Sequence, residues 1–294
     1  MKNKRKVAIQ IQHDDRWREM LKIAAESGFR AVAMGFGSSR CFHGNGWEKR
    51  VAEIREELDK NGLFCVMIHA PYYDLMKSAE TVDPETEQAL IRCVTATKTL
   101  GGSITVVHPR SVITEVEKDV WRVDGARSLA VNRENLSGML NEAIKNGVFL
   151  GIENLPEFPG LPVPFYSCDP SDHVALIDSF KSENVCAIWD FGHANLMKYD
   201  MEQSIRTLGS RIRGTHVHNN DGKSDCHYPP FLPNPSAYHA VRTVDWKKAL
   251  HALKSTGYDG YLTLEPDYDY NSPPEVLLRY LFESVCALEQ VLRK

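Results

Sequence analysis

One phrase repeats eight times along the chain: a mostly apolar, β-branched run leads through polar residues into a segment with helical periodicity. The runs are VAIQIQ (7–12), AVAMGF (31–36), FCVMIHA (64–70), ITVVHP (104–109), FLGIEN (149–154), CAIWDF (186–191), IRGTHVH (212–218) and YLTLEP (261–266). Near-continuous apolar runs are typical of parallel strands that are covered on both faces. Because eight such strand and helix units close a barrel, the sequence predicts the α/β class and a single (β/α)8 TIM barrel spanning residues 1–294.

Helix boundary signals agree with this pattern. Amphipathic segments occupy 47–62, 134–147 and 245–257, among others. Helix caps are predicted at both ends of such segments; the residues concerned are Asp83, Asp169 and Asp245 at helix starts, and Gly28, Gly62, Gly101, Gly147 and Gly257 at helix ends. The structural alternative is an open doubly wound sheet, which usually carries a glycine-rich phosphate loop after its first strand. Here HDDRW follows the first strand instead, which favours the barrel.

Composition indicates the cellular location and limits the kinds of binding partner. The net charge is −4, from 35 Lys+Arg against 39 Asp+Glu, so the chain as a whole has no cationic excess for a polyphosphate backbone, and nucleic acid is disfavoured as a partner. The seven cysteines are odd in number and widely spaced, without a CxxC pair, a pattern that suits reduced thiols in the cytoplasm. The basic N-terminus has only a short, interrupted apolar run, so neither a secretory signal nor membrane association is expected.

One long irregular stretch is predicted after the seventh strand, at about 219–243, because prolines interrupt it. Loops of this length in compact domains are usually functional or disordered. The part from Tyr228 to His239 suits either a lid or a contact in a homo-oligomer, and the sequence does not choose between them.

Polar residues with metal-ligating side chains end most of the predicted strands. They are His69, His108, Glu153, Asp190 with His193 just beyond it, His218 and Glu265. The loop after the seventh strand adds Asp225 and His227 on alternate residues. A single histidine here would suit a hydrogen-bonded core position, and a single glutamate would suit a helix cap. Because the carboxyl ends of barrel strands meet at one mouth, nine such residues together favour a metal site there. Mixed carboxylates and imidazoles suit Mn, Co, Zn or Fe, whereas calcium prefers oxygen ligands alone.

Four phrases carry a resemblance to a known family: GIEN at Glu153, WDFGHANL at Asp190, THVHNNDGKSDCH at His218, and LTLEP at Glu265. Over nearly its whole length the chain resembles the xylose isomerase-like TIM barrel superfamily. That superfamily includes sugar epimerases of the tagatose 3-epimerase type, inosose dehydratase and endonuclease IV. Each phrase is weak alone, but their order along the chain is specific.

The resemblance implies roles for these residues. In the epimerases one metal ion is held by a Glu, an Asp, a His and a Glu from the last four strands, which match Glu153, Asp190, His218 and Glu265 here. In endonuclease IV further ligands complete a three-zinc cluster, and the matching positions are His69, His108, His193, Asp225 and His227. The implied cofactor is therefore a divalent metal (Mn, Co, Zn or Mg), with one ion expected and three if every position is used.

The function expected from this resemblance is a metal-dependent isomerase or epimerase acting on a sugar, a sugar phosphate or a cyclitol. Glu153 and Glu265 would be the acid/base pair that moves a proton through a metal-stabilised enediolate. His108 and His193 would hold substrate hydroxyls. An apolar wall or plain barrel packing are the alternatives for four aromatic residues: Phe36, Tyr72, Trp189 and Phe191.

Other functions remain open on the same scaffold. An endonuclease IV-like zinc phosphodiesterase would use all nine residues, but the net charge and the few cations near the mouth (Arg40, Arg110 and Lys223) disfavour it. A dehydratase or lyase with the same enolate chemistry, and a binding barrel without catalysis, are further alternatives. The chain departs from the epimerase pattern where an Arg normally follows the seventh-strand His, because Lys223 and Ser224 stand in that region. The sequence therefore assigns no residue to the substrate-binding role that this Arg has in the epimerases.

Overall fold

Eight parallel strands form one closed barrel, which confirms the predicted fold. The computed structural model describes residues 5–73, 75, 83–157, 163–197, 199–231, 242–267 and 273–294. The barrel strands are β1 (Val7–Gln12), β2 (Ala31–Gly35), β3 (Phe64–His69), β4 (Ile104–Val107), β7 (Phe149–Glu153), β8 (Val185–Asp190), β9 (Ile212–Val217) and β10 (Leu262–Leu264). Each pairs in parallel with its neighbours, and β10 closes the barrel against β1.

Helices surround the barrel and connect its strands. They are α1 (Trp17–Ser27), α2 (Trp47–Lys60), α3 (Pro84–Thr99), α4 (Gly125–Asn135), α5 (Ser137–Asn146), α6 (Pro170–Ser179), α7 (Phe191–Leu196), α8 (Met201–Leu208), α9 (Trp246–Ser255) and α10 (Pro274–Arg293). The predicted N-caps at Asp83, Asp169 and Asp245 are confirmed, since each side chain accepts a hydrogen bond from a backbone N–H of its helix. Gly28 and Gly147 end their helices in the left-handed conformation.

Two local features differ from the sequence interpretation. The segment predicted as one helix over 134–147 is divided at Leu136, where α4 ends and α5 begins. A short antiparallel hairpin follows β4, formed by β5 (Ile113–Glu117) and β6 (Val120–Val123), and no strand was predicted there. Charged residues alternate with apolar ones in the hairpin, and most of its residues are exposed, so it lacks the continuous apolar runs of the barrel strands.

The barrel interior is packed with small and branched side chains at its lower, N-terminal level. Ile188 on β8 is fully buried there, together with residues such as Ala33 and Met67. Gly151 and Gly214 on the neighbouring strands leave room for it, because a Cβ at either glycine would lie 2.7 Å from Ile188 Cδ1. A second, larger apolar core lies between the strands and the helices. Polar interior residues are thereby concentrated at the C-terminal end of the barrel.

The loop predicted at about 219–243 begins with an antiparallel bridge between Asn219 and Tyr228. Residues 232–241 lie outside the described part of the chain, and with them most of the segment for which a lid or an oligomer contact is expected. None of the helices described here is both long enough and apolar enough to span a lipid bilayer.

Truncation of Ile188 is expected to destabilise the barrel. In Ile188→Ala, the facing Gly151 and Gly214 have no side chains with which to fill the space, so the free energy of unfolding should fall by about 2–5 kcal/mol. Urea denaturation monitored by circular dichroism measures this change. The control is Ile144→Ala on α5, where the side chain is 52% exposed and the expected change is within about 0.5 kcal/mol. Equal effects of the two substitutions would contradict the packing described here.

Candidate metal centre

Four side chains at the C-terminal mouth form the first group of candidate ligands. Glu153, Asp190, His216 and Glu265 each offer one ligand atom, and these atoms all lie within 4.8 Å of one another. His216 Nδ1 is 2.9 Å from a carboxylate oxygen of Glu153 and 3.1 Å from one of Glu265. Asp190 is farther away, with its nearest oxygen 3.9 Å from His216 Nδ1. All four residues are buried.

The sequence interpretation gave the histidine position in this group to His218, whereas the structure gives it to His216. The cause is strand register: β8 and β9 pair Asp190 directly with His216. Both histidines point to the same side of the strand, since they are two residues apart, but His218 lies beyond the last residue of β9. His218 Nε2 still reaches the Asp190 carboxylate at 3.0 Å.

A second group shares Glu153 with the first. It consists of His69 at the end of β3, His108 just after β4, and Glu153. The two imidazole Nε2 atoms are 3.0 Å apart, and they lie 3.4 Å and 3.2 Å from Glu153 Oε2. Glu153 Oε1 faces His216 instead. The two oxygens of one carboxylate therefore belong to two different groups, which is the arrangement of a bridging ligand.

The third group contains three imidazoles and one carboxylate: His193, His218, Asp225 and His227. Asp225 lies 3.3 Å from His193 Nε2 and 3.6 Å from His227 Nε2. The His218 and His227 rings stack in parallel, with centroids 3.8 Å apart. Gly192 permits this position of His218, because a Cβ at residue 192 would lie 1.9 Å from the His218 ring.

Three of these imidazoles are oriented by backbone carbonyls. The Nδ1 atoms of His69, His193 and His227 lie 2.9, 2.8 and 2.7 Å from the carbonyl oxygens of Ala70, Asn154 and Glu265, respectively. A carbonyl oxygen only accepts, so each Nδ1 carries the proton, and Nε2 of a neutral ring presents a lone pair to the group. Metal-binding histidines are typically held in this way.

The charges also fit a bound cation. In the described part of the chain, the ion pairs formed by Glu153, Asp190, Asp225 and Glu265 all involve imidazoles rather than lysine or arginine. Glu153 Oε2 is buried and accepts no hydrogen bond. A buried carboxylate is costly unless it is paired. The donor set of carboxylate oxygens and imidazole nitrogens suits a divalent transition metal.

Titration of the site reflects the same competition between burial and charge. Burial alone would raise the pKa of Glu153, but the imidazoles of His216, His108 and His69 hold that pKa well below its usual range. Conversely, burial would lower the pKa of His216, whereas the carboxylates of Glu153 and Glu265 raise it well above the usual value. For His227 the outcome of burial against Asp225 and Glu265 is a pKa of about 9. Without metal, the imidazoles of His216 and His227 are thus in the protonated, positively charged form at neutral pH.

Every strand-end residue singled out in the sequence lies in one of the three groups, and His216 is the member that was missed. Its signal was the spacing of two residues from His218, but only the register shows which of the two stands beside Asp190. Among the aromatic candidates, Phe36, Trp189 and Phe191 are core residues, while Tyr72 is 54% exposed. Tyr72 packs against the His69 and His108 rings. One of the three cations that the sequence suggested near the mouth, Arg110, is buried, so its guanidinium is not on the surface.

A closed parallel barrel with carboxylates and imidazoles gathered at its C-terminal mouth defines the class of the protein. The family model described as "Xylose isomerase-like TIM barrel" matches residues 21–285. The chain therefore belongs to the xylose isomerase-like TIM barrel family.

The chain is also similar to individual proteins and solved structures. An uncharacterized protein of Methanocaldococcus jannaschii, MJ1311, is 25% identical over 239 residues, which cover 79% of this chain and 74% of the relative. A D-tagatose 3-epimerase-like protein superposes with a TM-score of 0.68 at 19% identity, over 97% of this chain and 98% of the other. An L-ribulose 3-epimerase gives 0.71 at 15% identity, over 99% and 96%. The 3-keto-D-glucoside 4-epimerase YcjR of E. coli gives 0.68 at 15% identity, over 97% and 100%. At these identities the likeness to solved structures establishes the fold.

Metal affinity is expected to fall as the pH is lowered. The pKa of His216, the imidazole of the first group, is raised well above the usual value by the carboxylates of Glu153 and Glu265. A proton therefore competes with a cation for this imidazole, and binding at neutral pH should release it. Each released proton should weaken the apparent affinity about tenfold per pH unit of acidification.

Calorimetric titration of the metal-free protein with Mn²⁺ or Zn²⁺, in two buffers of different ionisation enthalpy, measures the release. An affinity that stays constant from about pH 6 to about pH 8, without proton release, would show that His216 is not a ligand.

Proposed function

We propose that the protein is a divalent-metal-dependent sugar isomerase or epimerase. The observation that carries this proposal is the placement of two glutamates around one imidazole. Glu153 from β7 and Glu265 just after β10 each bring a carboxylate oxygen within about 3 Å of His216 Nδ1. The strands β8 and β9 separate them in the barrel, so the two carboxylates reach the same point from different sides.

Such a pair suits the removal and return of a proton at carbon. One glutamate would accept the proton from the carbon next to a carbonyl group, and the other would deliver a proton to the product. A divalent cation held by Glu153, Asp190, His216 and Glu265 would supply Lewis-acid polarisation of the carbonyl and its neighbouring hydroxyl. Gln10 Nε2 donates to Glu265 Oε1 at 2.5 Å and fixes the orientation of that carboxylate. His108, whose side chain is 16% exposed, would bind a substrate hydroxyl.

The solved structures support a sugar as substrate. Solved structures that share this fold include a D-tagatose 3-epimerase-like protein, a D-psicose 3-epimerase and an L-ribulose 3-epimerase. The concave mouth of the barrel with converging polar groups is also the usual place of a TIM barrel active site.

A second candidate function, hydrolysis of a phosphodiester in the manner of endonuclease IV, is favoured by one specific observation. The three ligand groups adjoin, and Glu153 offers one oxygen to each of two groups. If both oxygens held cations, Glu153 would have no free oxygen to accept a proton. The net charge of −4 and the burial of Arg110 count against a phosphate backbone as substrate. The number of bound ions therefore separates the two functions.

Glu153→Gln and Glu265→Gln should each abolish proton transfer while retaining the shape of the side chain. Loss of the general acid/base is expected to reduce turnover by about 10²–10⁴-fold. Deuterium incorporation from D₂O into ketoses such as D-tagatose and L-ribulose, followed by NMR, measures the step directly. Glu134→Gln, at an exposed position of α4, is the control with the same chemical change. Interconversion of sugars by the wild-type protein without solvent exchange would instead indicate hydride transfer.

Replacement of His227 distinguishes the two candidate functions. The proposed isomerase or epimerase should keep one tightly bound ion in His227→Ala and lose about tenfold in kcat/KM, the effect of a missing hydrogen bond. A phosphodiesterase would lose metal and the cleavage of abasic DNA together. Elemental analysis of the purified variants gives the ion count, with the exposed His251→Ala on α9 as the control. Three ions in the wild type, with salt-sensitive cutting of an abasic duplex, would overturn the proposal.

A further inference from the structure

A cavity of about 540 Å³ opens beside the candidate metal centre, over the C-terminal ends of β1 and β2. Its lining includes Gln12, His13, Phe36, Arg40 and Tyr72. Within the described part of the chain, the lining contains none of the carboxylates and imidazoles of the three ligand groups. A ligand in this cavity would therefore not occupy the metal centre itself. It would be either a separate molecule or a further part of a substrate that reacts at the metal centre.

The cavity adjoins the metal centre directly. The Tyr72 ring lies 5.5 Å from the rings of both His69 and His108, centroid to centroid, and is stacked on the latter. The Tyr72 side chain therefore separates the cavity from the second ligand group.

Two glycines at the end of β2 shape this space. A Cβ at Gly35 would lie 2.4 Å from Gln12 Oε1, and a Cβ at Gly37 would lie 2.3 Å from the Tyr72 ring. The Tyr72 N–H donates to the Gly37 carbonyl at 2.8 Å. Because Gly35 and Gly37 have no side chains, the Gln12 amide and the Tyr72 ring can occupy the cavity wall. With Tyr72 54% exposed, the wall offers an open aromatic surface next to hydrogen-bonding groups.

The charges of the lining favour an uncharged ligand. Among the described residues that line the cavity, Arg40 contributes one positive charge, and Asp14 and Asp15 contribute two negative charges. His13 adds no positive charge at neutral pH, because burial lowers its pKa. Its Nδ1 is 2.8 Å from Ser39 Oγ, and its ring packs on Trp17 and Phe36. An excess of carboxylate repels a phosphate group, whereas amide, hydroxyl and imidazole groups bind hydroxyls.

We propose that this cavity binds a second, neutral sugar ring that is linked to the reacting sugar, so that the substrate is a glycoside rather than a free monosaccharide or a sugar phosphate. The apolar face of that ring packs on Tyr72, an aromatic side chain with a large contact area and a polar tip. Gln12 and Arg40 are the donors for its hydroxyls. The inference rests on the proposed function, because it assigns the reacting sugar to the metal centre.

Direct binding tests the cavity independently of turnover. The metal-loaded protein is titrated by calorimetry with D-fructose, with fructose 6-phosphate, and with three ketose disaccharides that carry a hexose at different positions of fructose: turanose, lactulose and isomaltulose. We expect at least one disaccharide to bind about tenfold or more tightly than D-fructose, and fructose 6-phosphate to bind no better than D-fructose.

Tyr72→Ala should remove the advantage of the disaccharide, so that the ratio of the disaccharide affinity to the D-fructose affinity falls to about one. Tyr72→Phe retains the ring and should retain the advantage. The matched control is Phe64→Ala, which removes an exposed ring at the opposite end of the barrel and should change neither affinity.

The proposal is overturned if none of the three disaccharides binds more tightly than D-fructose, if fructose 6-phosphate binds best, or if Tyr72→Ala weakens D-fructose and the disaccharide equally. Failure of the proposed function gives a different result. In that case the disaccharide binds and depends on Tyr72, but no solvent deuterium enters any sugar, and the assignment of the cavity stands.

Discussion

The carboxylate of Glu153 is the constraint on which the arrangement of the barrel mouth depends. It is fully buried at the end of β7, where an unpaired charge would cost several kcal/mol. His216 Nδ1 lies 2.9 Å from one of its oxygens, and the Nε2 atoms of His69 and His108 lie 3.4 and 3.2 Å from the other. These partners belong to β9, β3 and the residue after β4, on the two sides of β7 in the barrel. The pairing of five neighbouring strands therefore assembles the surroundings of this carboxylate.

Inside the barrel, apolar packing residues lie below the candidate ligands, which stand at the C-terminal end of the strands. Side chains two residues apart on a strand face the same side, so Ile188 and Asp190 lie one above the other, as do Gly214 and His216. The lower residue of each pair has an apolar side chain (Ile188) or none (Gly214), and the upper residue has a polar side chain. A slip of one residue in β9 would replace His216 by Val217 or Thr215 beside Asp190, which would leave that carboxylate and Glu153 without the imidazole. The buried charges thus enforce the register that the apolar layer alone would specify less strongly.

The fold could be predicted from the sequence because the strands have continuous apolar runs and the helices have clear caps such as Asp83 and Gly147. The polar residues at the strand ends could be predicted as one set for the same reason, since parallel strands end together. The choice between His216 and His218 depends on register with β8, which no local pattern contains. The cavity beside Tyr72 was missed too, because it depends on contacts that Gly35 and Gly37 permit between residues distant in sequence.

Under the proposed function, the two oxygens of Glu153 would have different roles. An oxygen that holds a cation is a weak base, whereas an oxygen that faces only neutral imidazoles can accept a proton. His69 and His108 stand around Oε2, and their Nε2 atoms approach each other at 3.0 Å. Because His69 Nδ1 carries its proton, His108 is the ring that can supply the proton shared between the two Nε2 atoms. Under the proposed function that proton would leave Oε2 free to accept another from carbon, whereas a cation held by His69, His108 and Glu153 would remove this base. The occupancy of the second ligand group would therefore distinguish the proposed isomerase or epimerase from the alternative phosphodiesterase.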